Sequence, residues 1–245
     1  MVAAMKRPPR NRATSLIGAV VVSALAACTL SNEAGTTPAA SPDPTPSPAS
    51  LADATEMPLP SGQYVTDGAF EPPIVLTIPA GWSTNDYGAG RASLVKPTSD
   101  DSMNAAFASF YQVSAVYADP CEGRTVNPAP ADPEALVDAL RSQPGFEIGP
   151  LTEGTLDGKP TWTWEVTPTV DISTCADDPW LYQWQFPGPS GGSVLDAGTI
   201  AGAVQRLTVV DLDGTVLIAE VGTFGWTTES EALEASQIVD TATFP

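Results

Sequence analysis

Beyond the first sixty residues, hydrophobic positions recur mostly at a period of two. Ile74-Val75-Leu76-Thr77-Ile78 reads as a strand, stopped by Pro79-Ala80-Gly81-Trp82. Residues 107–117 predict a second, longer strand rich in aromatic and β-branched side chains. Thr161-Trp162-Thr163-Trp164-Glu165-Val166 alternates at every step, which sets Trp162 and Trp164 on one face of a strand. Residues 180–186 alternate as well, with Trp180, Tyr182, Trp184 and Phe186 expected on one face and Gln183 and Gln185 opposite. Asp157-Gly158, between Leu156 and Lys159, and Asp213-Gly214, between the runs 207–212 and 215–221, carry the dipeptide favoured in two-residue hairpin turns. Two segments depart from this period. Asp132-Pro133-Glu134 opens a helix with an aspartate cap and a first-turn proline; Leu136, Val137 and Leu140 share a face, and Pro144-Gly145 ends it. Thr228-Glu229-Ser230-Glu231 has the form of a capping box before a final helix with apolar Leu233 and Val239.

This order predicts an α+β domain, a mostly antiparallel sheet with helices packed on it. Residues 207–210 and 216–221 are nearly apolar on both faces, as in strands covered from both sides. A sheet with a helix on each face, an α/β/α sandwich, is the architecture this favours. The aromatic strands, polar on one side, belong toward a sheet edge, with rings inward and Glu165 and Gln183 wet.

The first sixty residues follow another logic. Lys6, Arg7, Arg10 and Arg12 precede an apolar run over 16–27, too short for a helix across a bilayer core, which takes about 20 residues. Charge, length and small terminal residues predict a secretory signal peptide over 1–27. Leu25-Ala26-Ala27-Cys28 resembles the lipobox of bacterial lipoproteins. That resemblance implies cleavage before Cys28, a diacylglycerol thioether on its sulfur, and acyl chains of the palmitate type that tether the protein to the extracytoplasmic face of the cell membrane. Residues 28–60 read as a Pro/Ser/Thr-rich linker: seven prolines in the 32 residues from 29 to 60 prevent helices and sheet ladders. Its reach lies between about 30 Å as a coil and about 100 Å fully extended. The globular domain is expected over 61–245.

Composition narrows the function. The chain carries 10 basic and 29 acidic side chains, a net charge of −19, and no histidine. Losing the four basic residues of the signal leaves 6 against 29, a charge of −23. Such a body repels phosphate backbones, so no nucleic-acid partner is expected. The missing histidine excludes Ser-His-Asp and Cys-His catalysis and histidine-bound zinc. Acidic pairs such as Asp100-Asp101 and Asp177-Asp178 lack the spacing of a calcium loop, and no cofactor or metal is expected.

Val209-Val210-Asp211-Leu212-Asp213-Gly214-Thr215 resembles the first motif of haloacid-dehalogenase-type phosphatases, in which Asp211 would be nucleophile and Asp213 acid/base. That family needs a lysine and further acids downstream; only thirty residues follow Thr215, and none is lysine. The expectation is a hairpin turn and no catalytic residue. Pro79-Ala80-Gly81-Trp82 after an apolar strand, and the closing Asp-Gly hairpin and short helix, resemble PsbP-like sandwiches and related lipoproteins. That resemblance implies a non-catalytic assembly, transport or binding role, with Gly81 and Trp82 structural.

The function expected is therefore a lipid-anchored, monomeric binding or scaffolding protein whose partner is an unidentified envelope protein or small ligand. The alternative is an envelope hydrolase acting on glycans through two carboxylates. Trp162, Trp164, Trp180 and Trp184 are core residues on the first reading of their alternation; the competing one makes them a platform on which a sugar or apolar ligand stacks. Cys121 and Cys175, left over after lipidation and held in an oxidising compartment, are expected to form a disulfide. Replacing Cys28 by serine is expected to abolish acylation and move the protein from the membrane to the soluble fraction. Mass spectrometry of the mature protein checks this, and an unmodified Cys28 or an uncleaved signal contradicts it.

Overall fold

A computed structural model describes residues 47–54, 57–97, 105–122, 125–175, 181–188, 194–200, 202–224 and 227–245. The signal segment, Cys28 and its lipobox, Trp180, Asp100-Asp101 and Asp177-Asp178 lie outside these residues.

Three short strands open the domain: β1 (Ala49–Ser50), β2 (Gly62–Val65) and β3 (Val75–Ile78), with β1 parallel to β2 and β2 antiparallel to β3. There follow β4 (Ser83–Gly88), β5 (Arg91–Pro97), β6 (Ala105–Gln112), β7 (Ala115–Tyr117), β8 (Val126–Pro128), helix α1 (Pro133–Arg141), β9 (Phe146–Ile148), β10 (Thr152–Leu156) and β11 (Lys159–Pro168). A 3-10 turn (Ile172–Thr174) leads to β12 (Leu181–Pro187), β13 (Val194–Thr199), β14 (Val204–Asp211), β15 (Val216–Phe224) and helix α2 (Glu229–Asp240). The main sheet runs β10-β11-β14-β15-β6-β5-β4, with β9 paired to β11, and every pairing is antiparallel. A second sheet runs β13-β12-β7-β8. The domain is thus mostly antiparallel sheet with two helices among the described residues.

Alternation along the central strands splits the core in two. Ala106, Ala108 and Phe110 of β6 and Leu217, Ala219 and Val221 of β15 pack with Ala235, Ile238 and Val239 of α2 and with the β1–β3 sheet. Tyr111, Ile218, Leu207, Val209 and Trp164 face the other way, onto Leu136, Val137 and Leu140 of α1 and onto Trp184 and Phe186 of β12. Each face thus carries one helix beside a small sheet. Local chemistry sets the helix starts: Asp132 accepts from the Ala135 amide at 2.8 Å, and Thr228 and Glu231 form a reciprocal capping box. Both Asp-Gly pairs make their turns with positive φ, 49° and 75° at Asp157-Gly158 and 57° and 105° at Asp213-Gly214.

Several expectations are corrected. The long strand over 107–117 is two strands in different sheets, because the chain leaves the main sheet after Gln112 and resumes pairing at Ala115 in the second. The packed region begins before residue 61: Ser50 pairs with Val65, and Leu51 and Leu59 are buried in the first core, since two leucines in the proline-rich stretch gain more from burial than from exposure. Leu233 is 58% exposed; Ala235, Ile238 and Val239 form the buried stripe of α2 instead.

The row on β12 is broken by a bulge, where register passes from Tyr182↔Gly198 to Trp184↔Ala197. Trp184 and Phe186 point into the core, whereas the Tyr182 ring lies 6.0 Å from that of Tyr117, whose hydroxyl accepts from Gln185. Gln183, expected to be wet, is buried at 2% exposure; its carbonyl accepts from the Gln143 amide at 2.7 Å. Glu165 is exposed, as its position opposite the tryptophans requires.

Trp164 and Trp184 are 2% and 0% exposed, and Trp162 is half-buried against the same core, so the first two offer no platform to a ligand. Trp82, also fully buried, is pinned locally: the Leu59 amide donates to its carbonyl at 2.6 Å, and its indole donates to Glu234 of α2 at 3.2 Å. The sulfurs of Cys121 and Cys175 stand at disulfide distance, 2.10 Å. Closing a loop of 54 residues stabilises a fold by about 4 kcal/mol in the chain-entropy model. Alanine at Trp82, Trp164 or Trp184 is expected to cost about 3–5 kcal/mol, and at half-buried Trp162 clearly less. Denaturant unfolding of the four variants checks this, and equal losses at all four would contradict the two-layer burial.

Candidate ligand cavity

The strand β15 runs through the middle of the main sheet, and its one charged residue, Glu220, is 3% exposed. Leu217, Ala219 and Val221 turn to the α2 side, so Glu220 turns to the side of the second sheet. There the pairing sets Ser93, Ser109 and Glu220 in one rung across β5, β6 and β15. The rung toward α1 holds Arg91, Tyr111 and Ile218; the rung on the other side holds Val95, Phe107, Gly222 and Gln205.

A cavity of about 360 Å³ lies over this strip. Its floor is the Ser93-Ser109-Glu220 rung, with Arg91 and Tyr111 at one end and Phe107 and Phe224 at the other. Tyr182, Ala197 and Gly198 border it from β12 and β13, and Asn85 of β4 lies at its margin. The void follows from side-chain size. Toward α1, Tyr111, Trp184 and Phe186 interlock at centroid distances of 5.3 and 5.4 Å and fill the space between the sheets. Further along, serines, Ala197, Gly198 and Gly222 leave it open. Two glycines are required. A Cβ on Gly222 would overlap the Phe107 ring, which lies across it, and one on Gly198 would overlap the Leu181 carbonyl at the bulge. The Phe107 and Phe224 rings stack at 4.6 Å between centroids.

The polar groups of the cavity are connected. Ser93 and Ser109 hydroxyls share a hydrogen bond of 2.8 Å. Gln205 donates its side-chain amide to Glu220, and the Tyr111 hydroxyl also bonds the carboxylate. Arg91 donates through Nη1 to Asp86 at 2.5 Å, with its guanidinium 5.0 Å from the Phe186 ring centroid and 5.4 Å from that of Tyr111. Burial pushes the Glu220 carboxyl from 4.5 up to about 7, against the opposing pull of the Tyr111 hydrogen bond, the Arg91 charge and the Gln205 hydrogen bond. Burial likewise raises the Tyr111 hydroxyl, and the Glu220 charge adds to that rise.

Of the sequence-derived candidates among the described residues, neither Trp162, Trp164 and Trp184 nor Cys121 and Cys175 line this cavity. Glu220 was nonetheless visible as the lone charge within Val-Leu-Ile-Ala-Glu-Val-Gly, a strand otherwise apolar on both faces. Asp211 and Asp213 sit at the β14–β15 hairpin, where Asp211 accepts from the Gly214 amide at 3.3 Å and Asp213 pairs with Lys159 at 2.6 Å. No cluster of three metal-ligating side chains occurs among the described residues. Nor is any helix among them long and apolar enough to cross a membrane.

No protein-family model and no curated protein sequence matches the chain. Among solved structures, LpqN, involved in cell envelope biogenesis of Mycobacterium tuberculosis, overlaps it with a TM-score of 0.33 at 15% identity, over 80% of this chain and 88% of that one. A point mutant of the protein Mog1 overlaps with a TM-score of 0.32 at 12% identity, over 75% and 88%. Overlap this slight argues for neither a shared fold nor a shared activity.

Glu220 has a consequence for stability. Its carboxyl is raised in the folded state, so between pH 4.5 and 7 the native protein holds a proton that the unfolded chain has lost. The Glu220 contribution to stability is greatest below that window, falls as pH rises through it by about 3 kcal/mol in all, and levels off above it. Glu220→Gln is expected to remove this component. Urea unfolding of both proteins at pH 4.5 and pH 8 checks it: the wild type loses about 3 kcal/mol relative to the variant, and parallel profiles would contradict the buried carboxyl.

Proposed function

We propose that the chain is an extracytoplasmic binding protein, anchored through acyl chains on Cys28, whose domain holds a small amphiphilic molecule between its main and second sheets. The observation that carries this reading is the cavity: aromatic rings at one end, hydroxyls and a buried carboxyl on its floor, and a volume at the lower end of ordinary ligand pockets. Keeping Glu220 interior lowers stability at neutral pH, and the rest of its own strand from Val216 to Gly222 is apolar. Groups of that kind are retained where a ligand uses them.

The competing reading, a glycan hydrolase, needs two carboxyl groups about 5–10 Å apart across the substrate. Glu220 is the only carboxyl among the described residues that line the cavity, and the nearby Asp86 is committed to Arg91. A single acid held by hydrogen bonds favours binding over hydrolysis. The linker fits the same reading, since it gives the domain reach from the membrane while the acyl chains hold it there against the repulsion of anionic headgroups.

A fragment library screened by thermal shift tests the proposal, because a ligand of the native state raises the melting temperature with concentration. Hits are expected to perturb the NMR signals of Phe107, Tyr111 and Phe224. They are expected to lose their effect in Ser109→Met, which fills the cavity floor and leaves the α2 face of β6 untouched. Hits that map elsewhere, or survive that substitution, would overturn the assignment.

A further inference from the structure

Buried charges in proteins are paired or hold a metal, because desolvation otherwise forces them neutral. Glu220 is buried with no directly bonded cation among the described residues. Its direct partners, Gln205 and Tyr111, are both uncharged donors. Arg91, the nearest cation of the cavity, spends Nη1 on Asp86 at 2.5 Å, and no salt bridge to Glu220 exists among the described residues. The carboxyl therefore borders a ligand-sized space with the Arg91 charge nearby but no cation bonded to it.

We infer that the ligand supplies that cation: the cavity takes an organic ammonium ion, its nitrogen against Glu220 and its apolar body along Phe107 and Phe224. This rests on the reading of the cavity as a ligand site and names the charge and class of what enters it. Three observations favour an organic cation. Ring faces attract cations, and the stacked Phe107 and Phe224 rings at the end of the cavity away from Arg91 offer such a surface. A bare divalent metal would need several oxygen ligands, whereas the floor offers one carboxyl and two serine hydroxyls bonded to each other. The strongly acidic chain raises the local concentration of cations of any kind.

Binding of an ammonium ion requires the ionised carboxylate, so affinity is linked to the proton on Glu220. The titratable and charged groups around that carboxyl are Tyr111 on β6, Arg91 on β5 with Asp86 behind it, and Tyr182 bordering from β12. Glu220, at about 7, is the one expected to change state between pH 6 and pH 8.

The test uses the full folded domain and three probes of one size: benzylammonium, benzyl alcohol and benzoate, titrated by calorimetry and NMR. Benzylammonium is expected to bind in the cavity about tenfold more weakly at pH 6 than at pH 8, because only about a tenth of the protein is ionised at the lower pH. It is expected to release a proton at pH 6, seen as a heat that changes with the buffer. Glu220→Gln is expected to weaken benzylammonium by about tenfold or more and to flatten its pH profile. Benzyl alcohol binding as tightly as benzylammonium, or a flat wild-type profile, overturns the cation while leaving the cavity as a ligand site. Binding of none of the three overturns both. Should Glu220→Gln fail to fold, the wild-type comparison of the three probes and the proton release decide alone.

Discussion

The constraint that organises this domain is the covering of its central strands on both faces. With α2 and the β1–β3 sheet on one side, and α1 and the second sheet on the other, the strands β15 and β6 and the stretch 207–210 of β14 are covered on both faces. Any polar residue there must find its partners inside. Thr163 and Thr208 do so near the margin with a shared hydrogen bond of 3.0 Å, and Ser93 with Ser109 nearer the middle. Glu220 has the most to satisfy, and side-chain size decides what surrounds it. Large rings close the gap between the sheets toward α1, while serines, alanine and glycines leave it open toward Phe224. The same alternation that builds the core thus builds the cavity, and the boundary between them falls at Tyr111.

How much of this could be read in advance follows from the range of each interaction. Helix starts and hairpin turns depend on residues within four positions of one another. The Asp132 cap, the Thr228-Glu231 box and the two Asp-Gly turns were therefore legible. The break between β6 and β7 was not, because apolar residues continue across Val113-Ser114 and only the choice of sheet changes. The bulge at Gln183 was hidden for a related reason: strict alternation predicts a regular strand, and the extra residue is fixed by β13, where Gly198 lets the backbones approach.

Burial of Trp164 and Trp184 was legible because polar residues alternate with them along their strands. The disulfide pairing was legible because only two cysteines remain once Cys28 is read as the lipobox cysteine. The cavity was not, since a void depends on what several distant strands fail to fill. Its one local sign was a glutamate in a strand that should carry none.

The protein contains its own comparison for that glutamate. Lys96 and Arg91 stand on the same strand, β5, and face opposite sides of the sheet. On the α2 side, Lys96 donates to Glu234 at 2.6 Å, and Trp82 donates to the same oxygen. The ammonium holds the Glu234 carboxyl below its usual range, although that group is partly shielded from water. On the other side Arg91 is turned to Asp86, and Glu220 is left with neutral donors and a carboxyl raised toward neutrality. Two things differ between them: Glu220 is fully buried, and burial pushes its carboxyl up, whereas Glu234 is partly exposed and has a directly bonded ammonium that pulls its carboxyl down. A protein selected only for stability would have an apolar residue at position 220, since its neighbours on the strand are already valine and alanine. Retaining an acid there, beside an open space and without the bonded ammonium that its counterpart has, is the observation on which the proposal of a cation-binding cavity rests.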